Sequence, residues 1–64
     1  MEYHKVEVGQ IWADNDRRCA DRRIVILKVD DKGYAYARTI GRKRIMRIRL
    51  HRFVPNATGY RLIR

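Results

Sequence analysis

The sequence predicts an all-β fold built from five short strands. Its apolar residues fall in alternating or β-branched runs that are too short to make stable helices. Those runs are separated by clusters of Gly, Asp, Asn and Pro, the residues of tight turns. With 64 residues the chain is expected to form one domain over residues 1–64. A domain of that size buries only about 60% of the surface its unfolded chain exposes. Closing the strands into a small barrel would leave few free edges.

The first strand is expected over residues 6–13, where Val6 and Val8 alternate with Glu7 and are followed by Ile11 and Trp12. Gly9 inside that pattern points to a bulge or bend. Trp12, between Ile11 and Ala13, reads as a core residue. Residues 14–23 (DNDRRCADRR) have no period and carry both signs, so they read as a loop whose Asp and Arg side chains neutralise one another. Ile24, Val25, Ile26, Leu27 and Val29 define a second strand over 23–30. Asp30-Asp31-Lys32-Gly33 is a turn, with Gly where a positive φ is needed. The third strand, over 34–40, carries Tyr34, Tyr36 and Arg38 on one face and Ala35, Ala37 and Thr39 on the other.

Gly41-Arg42-Lys43 makes the next turn. Residues 44–50 fit two periods. As a strand, Met46, Ile48 and Leu50 point one way while Arg47 and Arg49 point the other. As a helix, Met46, Leu50, Phe53 and Val54 share a face, but Ile45 and Ile48 fall off it. The strand fits better, and the rival architecture is a three-stranded sheet with one basic helix over 42–54. A helical turn over 51–54 is closed by Pro55. After a turn at 56–59, the last strand over 60–63 points Tyr60 and Leu62 inward. Five strands with a short helical turn before the last form the layout of an SH3-like barrel, the loop at 14–23 joining its first two strands.

Charge is distributed unevenly along the chain. The formal net charge is +9. Every acidic residue lies in residues 1–37, where cations balance them. Residues 38–64 hold Arg38, Arg42, Lys43, Arg44, Arg47, Arg49, Arg52, Arg61 and Arg64 and no acid. Arginine dominates, and guanidinium grips phosphate bidentately where lysine offers a point charge. A segregated, arginine-rich excess of this kind points to an anionic partner.

Chemistry beyond charge is sparse. Catalysis needs converging groups with matched roles, and the chain offers one thiol, Cys19, and two imidazoles, His4 and His51. No enzyme activity and no cofactor are expected. Three scattered Cys and His residues do not make a zinc site. Asp14-Asn15-Asp16 opens like a calcium loop, but Cys19 stands where that loop needs Gly and Val25 where it needs Glu. Asn56-Ala57-Thr58 has the pattern of a glycosylation acceptor and reads as a plain turn. A single cysteine allows no internal disulfide and fits a reducing, cytoplasmic setting. No apolar run reaches the roughly 18–20 residues that span a bilayer, and Glu2, His4, Lys5 and Glu7 leave no signal-peptide core. Neither a membrane protein nor a secreted disulfide scaffold is expected.

The string Gly9-Gln10-Ile11-Trp12, then Asp14, Asp16 and Arg18, then Arg23-Ile24-Val25, resembles a group of small proteins encoded by phages of actinobacteria. The ending Arg52-Phe53-Val54-Pro55 with Thr58-Gly59-Tyr60-Arg61-Leu62 is similar to the same group. The resemblance runs over residues 8–63 as a scattered pattern. It departs in the first loop, where this chain has Ala20 and Asp21 in place of Gly. It implies a phage source and the cytoplasm of a host cell, and it brings no activity with it.

The residues therefore lead to two expectations. In the first, the protein binds nucleic acid, duplex DNA before RNA, through the phosphate backbone and with little sequence specificity. Arg38, Arg42, Lys43, Arg44, Arg47, Arg49 and Arg52 would meet phosphates, and Tyr34 or Tyr36 would lie against sugar or base. In the second, the same cluster docks on an acidic host or phage protein and modulates it, with aromatic side chains as anchors. A monomer or a weak homodimer fits either.

Overall fold

Five strands form a single antiparallel sheet in the computed structural model, which describes residues 5–19 and 21–64. His4, one of the two imidazoles, and Ala20, where the first loop departs from the phage group, lie outside the described residues. The strands are β1 (Ile11–Asp14), β2 (Arg23–Val29), β3 (Tyr34–Thr39), β4 (Ile45–Arg49) and β5 (Tyr60–Leu62). Short 3-10 turns stand at Arg17–Cys19 and Leu50–Arg52. The spatial order is β4-β3-β2-β1-β5. β4 and β5 end that order and are not paired with each other, so the sheet is open. No helix among the described residues is long and apolar enough to cross a membrane.

Residues 45–49 are a strand, and the basic helix over 42–54 does not form. Alternation decides it: Met46 and Ile48 face inward, while Ile45, Arg47 and Arg49 are exposed. β3 supplies the ladder, with Ala35 opposite Ile48 and Ala37 opposite Met46. The first strand is shorter than residues 6–13. Gln10 folds back on Glu7, its N–H donating to the Glu7 carbonyl at 3.2 Å and its side-chain oxygen accepting from the Glu7 N–H at 2.8 Å. That turn places Gly9 ahead of β1 and leaves Val8 65% exposed. Asp14 belongs to β1 and not to the loop. It is buried, opposite Tyr60 in the ladder, and ion-paired with Arg22 at 3.7 Å.

The inner face collects Trp12, Ile24, Ile26, Ala35, Ala37, Ile48 and Tyr60, with Phe53 from the segment before β5. Val6, Val29, Met46, Leu50 and Leu62 pack around this cluster. Two large rings lie at its centre. Trp12 and Phe53 meet edge to face at 5.0 Å, and Phe53 stacks on Tyr60 at 5.3 Å. β3 offers only alanines to the core, which leaves room for those rings. Burying each large side chain contributes about 1.5–3 kcal/mol.

Two local devices set what the outer face carries. A bulge in β2 shifts the register between Ile26 and Lys28. Without the extra residue, Lys28 would pair with Ala35 and point into the core. With it, Val29 pairs with Ala35 and Lys28 pairs with Tyr36 on the outer face. The second device is the turn between β2 and β3. Gly33 adopts φ +94°, a region L side chains rarely enter. Asp30 Oδ1 accepts hydrogen bonds from the Lys32 and Tyr34 N–H groups, both at 2.9 Å. These contacts fix the register that carries Tyr34 and Tyr36.

Candidate functional site

The outer face of the β3–β4 hairpin brings together residues far apart in kind and near in register. Tyr34 stands opposite Arg49, Tyr36 opposite Arg47, and Arg38 opposite Ile45. The Arg47 guanidinium reaches diagonally over the Tyr34 ring, 4.4 Å from its centroid, and the Arg49 guanidinium lies 5.6 Å from the same centroid. Diagonal neighbours on one face are within reach of long side chains. Lys28 Nζ sits 5.6 Å from the Tyr36 ring centroid, and the Tyr36 hydroxyl donates to Asp30 Oδ2 at 3.4 Å. Both tyrosine rings thus engage cations rather than standing as bare platforms. Each such contact at an exposed site is worth about 0.5–1 kcal/mol.

Arg38 shares this face between Val25 on β2 and Ile45 on β4. Arg42, Lys43 and Arg44 extend the cluster along the β3–β4 connection, where all three are exposed. Arg52 lies off this row, and its side chain is engaged locally. Its guanidinium donates to the Thr58 carbonyl at 3.1 Å and ties down the segment before β5. Lys28 joins the cluster although its place in the second strand gave no hint of it. The apolar run Ile24-Val25-Ile26-Leu27 carries no period, and only the β2–β3 register reveals the shift.

The electrostatics separate the two ends of the molecule. The ion pairs among the described residues are Arg18–Asp16 at 3.2 Å and Arg22–Asp14 at 3.7 Å, both in or beside the first loop. Hydrogen bonds from Arg18 hold the Asp16 carboxyl below its ordinary value, and Asp16 raises Arg18 in return. Asp30 is also held low, first by the hydrogen bond from the Tyr34 N–H. Burial, with Asp14 nearby, pushes the Tyr60 hydroxyl up. None of Arg38, Arg42, Lys43, Arg44, Arg47, Arg49 or Arg52 is paired with a carboxylate among the described residues.

Two clefts flank β4, and Arg47 lines both. One, of about 900 Å³, lies between the end of the first loop and the β3–β4 connection, with Arg42, Arg44, Ile40, Ile45 and Met46 in its lining. The other, of about 500 Å³, is bordered by Tyr34, Arg49, His51, Arg52 and Tyr60. Its lining draws on β3, β4, the Leu50–Arg52 turn and β5. The arrangement can hold anions on guanidinium groups, and among the described residues no cluster of His, Cys, Asp and Glu is placed to hold a metal ion.

No protein-family model, curated protein or solved structure matches the chain.

Proposed function

We propose that the protein binds nucleic acid through its phosphate backbone, with duplex DNA taken before RNA and little sequence specificity. The observation that carries this reading is the row of cations on the β3–β4 hairpin that have no ion-paired carboxylate among the described residues, with Arg47 and Arg49 steadied by the Tyr34 ring. A carboxylate partner would cancel the charge. An aromatic partner orients it and leaves it available. Arg38, Arg42, Lys43 and Arg44 continue the same surface, while Arg52 contributes from the rim of the second cleft. We further read the open sheet as an SH3-like barrel closed by side chains. Ile48 of β4, Tyr60 of β5 and Phe53 between them belong to one core. The phage resemblance would place the protein in a host cytoplasm.

Fluorescence anisotropy of a random-sequence duplex, titrated at several salt concentrations, tests the reading. If about five cations neutralise phosphates, log K falls with log salt at a slope of about −4 to −5. The double variant Arg47→Glu, Arg49→Glu weakens binding to all sequences alike and makes the slope shallower by about 2. Undiminished binding by that variant would show the surface to be misplaced. Absence of any binding near 100 mM salt would turn the reading toward an acidic protein partner, recovered from host lysate after nuclease treatment.

A further inference from the structure

We propose that the cleft between the first loop and the β3–β4 connection receives one unpaired nucleotide. Its base lies against Ile40, Ile45 and Met46, and its flanking phosphates meet Arg42, Arg44 and Arg47. The inference rests on the nucleic-acid reading and adds to it a preferred ligand: a single strand or a bulged site over a perfect duplex.

Three features of the cleft support that occupant. Ile40 and Ile45 are 51% and 59% exposed, an apolar patch left open on an otherwise strongly charged surface. Apolar side chains bordered by arginines suit a nucleobase, since a base extracted from its stack is held between apolar or aromatic side chains. The walls also differ in charge. The hairpin wall carries Arg42, Arg44 and Arg47 and no acid, whereas the loop wall carries Arg22 and Asp21, one charge of each sign. Phosphate therefore belongs on the hairpin side, with the neutral base between the walls. Spacing agrees as well. Arginines two residues apart in extended chain are about 6.8 Å apart, a step close to that between successive phosphates of a stretched single strand. Arg47 and Arg49 hold this spacing on the edge strand β4. A base held in a duplex cannot enter such a cleft while its own backbone lies along β4.

The test compares three ligands of one sequence by anisotropy: a single strand, a perfect duplex, and a duplex with one bulged 2-aminopurine. The bulged duplex is expected to bind about tenfold more tightly than the perfect one, and its 2-aminopurine emission changes on binding. Ile45→Ser, at a site already exposed, abolishes that preference and the emission change. It leaves affinity for the perfect duplex, the salt slope and the melting temperature as in the wild type. Ile40→Ser does the same from the other side of the patch. Equal affinity for bulged and perfect duplex with unchanged emission overturns the cleft assignment and leaves the backbone reading standing. No binding to any of the three overturns both.

Discussion

Replacing Phe53 by leucine keeps an apolar side chain in the core and removes a ring that packs against both β1 and β5. Phe53 is 1% exposed. Its ring contacts Trp12 of β1 at 5.0 Å and Tyr60 of β5 at 5.3 Å. Each aromatic pair is worth about 0.5–1.5 kcal/mol beyond its buried area, so losing both costs about 1–3 kcal/mol. Phe53→Ala adds the transfer and cavity terms and costs about 3–5 kcal/mol. A chain of this length has roughly 3–10 kcal/mol of stability in total. The leucine variant should therefore fold, melting about 5–20 °C lower, while the alanine variant loses from about a third of the total stability to all of it. Thermal melts followed by circular dichroism measure this, alongside urea titration followed by the fluorescence of Trp12, the only tryptophan in the chain. A Phe53→Leu midpoint within 2 °C of wild type, with unchanged Trp12 emission, would refute the view that Phe53 links the β1 and β5 side of the core.

Asp30 makes stability depend on acid pH. Its carboxyl is held below 3.8 in the folded chain, chiefly by the Tyr34 N–H. A depressed carboxyl supplies stability that is fully present above the unfolded value and is lost as pH falls through the folded one. Melting temperature should thus decline below about pH 3.8. Asp30→Asn, which keeps an oxygen acceptor and loses the charge, flattens part of that decline; a variant with the wild-type acid profile would contradict this. Asp30→Ala also loses both turn hydrogen bonds and melts lower at neutral pH. Gly59 gives a purely steric case. A Cβ there would fall 2.9 Å from the Arg52 carbonyl oxygen and 2.8 Å from Asn56 Oδ1, and would run into the Val54 carbonyl oxygen. That last oxygen already accepts from the Asn56 and Tyr60 N–H groups. Gly59→Ala should cost about 1–3 kcal/mol, and an unchanged urea midpoint would remove the close approach as its cause.

The parts legible in the sequence are those governed by neighbours in the chain. The turn at Asp30 to Gly33 was readable because one side chain and one glycine specify it locally. Alternation over Met46, Arg47, Ile48 and Arg49 was readable because period alone separates strand from helix there. The core places of Trp12, Tyr60 and Leu62 followed from the same logic. What escaped depends on partners distant in sequence. Asp14 looks like a loop residue until β5 and Arg22 are beside it. The β2 bulge needs β3 for its definition, and with it came the outward turn of Lys28. In the candidate site, the short connection from β3 to β4 made the arginine cluster foreseeable. The diagonal reach of Arg47 over Tyr34 was not, because it depends on side-chain conformation across the pair. Nor was the diversion of Arg52 to the Thr58 carbonyl, which depends on how the segment before β5 folds back.

The cost of this surface argues for its use. Arg47 and Arg49 stand roughly 7 Å apart by strand spacing, and two like charges at that distance repel by about 0.6 kcal/mol in water, more where solvent is partly excluded. Contact of both with the Tyr34 ring returns about as much, so the pair is held together at little net gain or loss. Arg38, Arg42, Lys43 and Arg44 have no such ring contact or ion pair among the described residues. An aspartate or glutamate among them would have removed the repulsion, and the chain places such acids in or beside the first loop, where Asp16 meets Arg18 and Asp14 meets Arg22. The β3–β4 hairpin uses the Tyr34 ring instead, a device that positions Arg47 and Arg49 without neutralising them. Solubility requires net charge, but not charge held in register. Guanidinium groups with no ion-paired carboxylate among the described residues are what an incoming row of phosphates would complete. Binding should then raise the melting temperature in proportion to the logarithm of ligand concentration over Kd, and less so as salt is added.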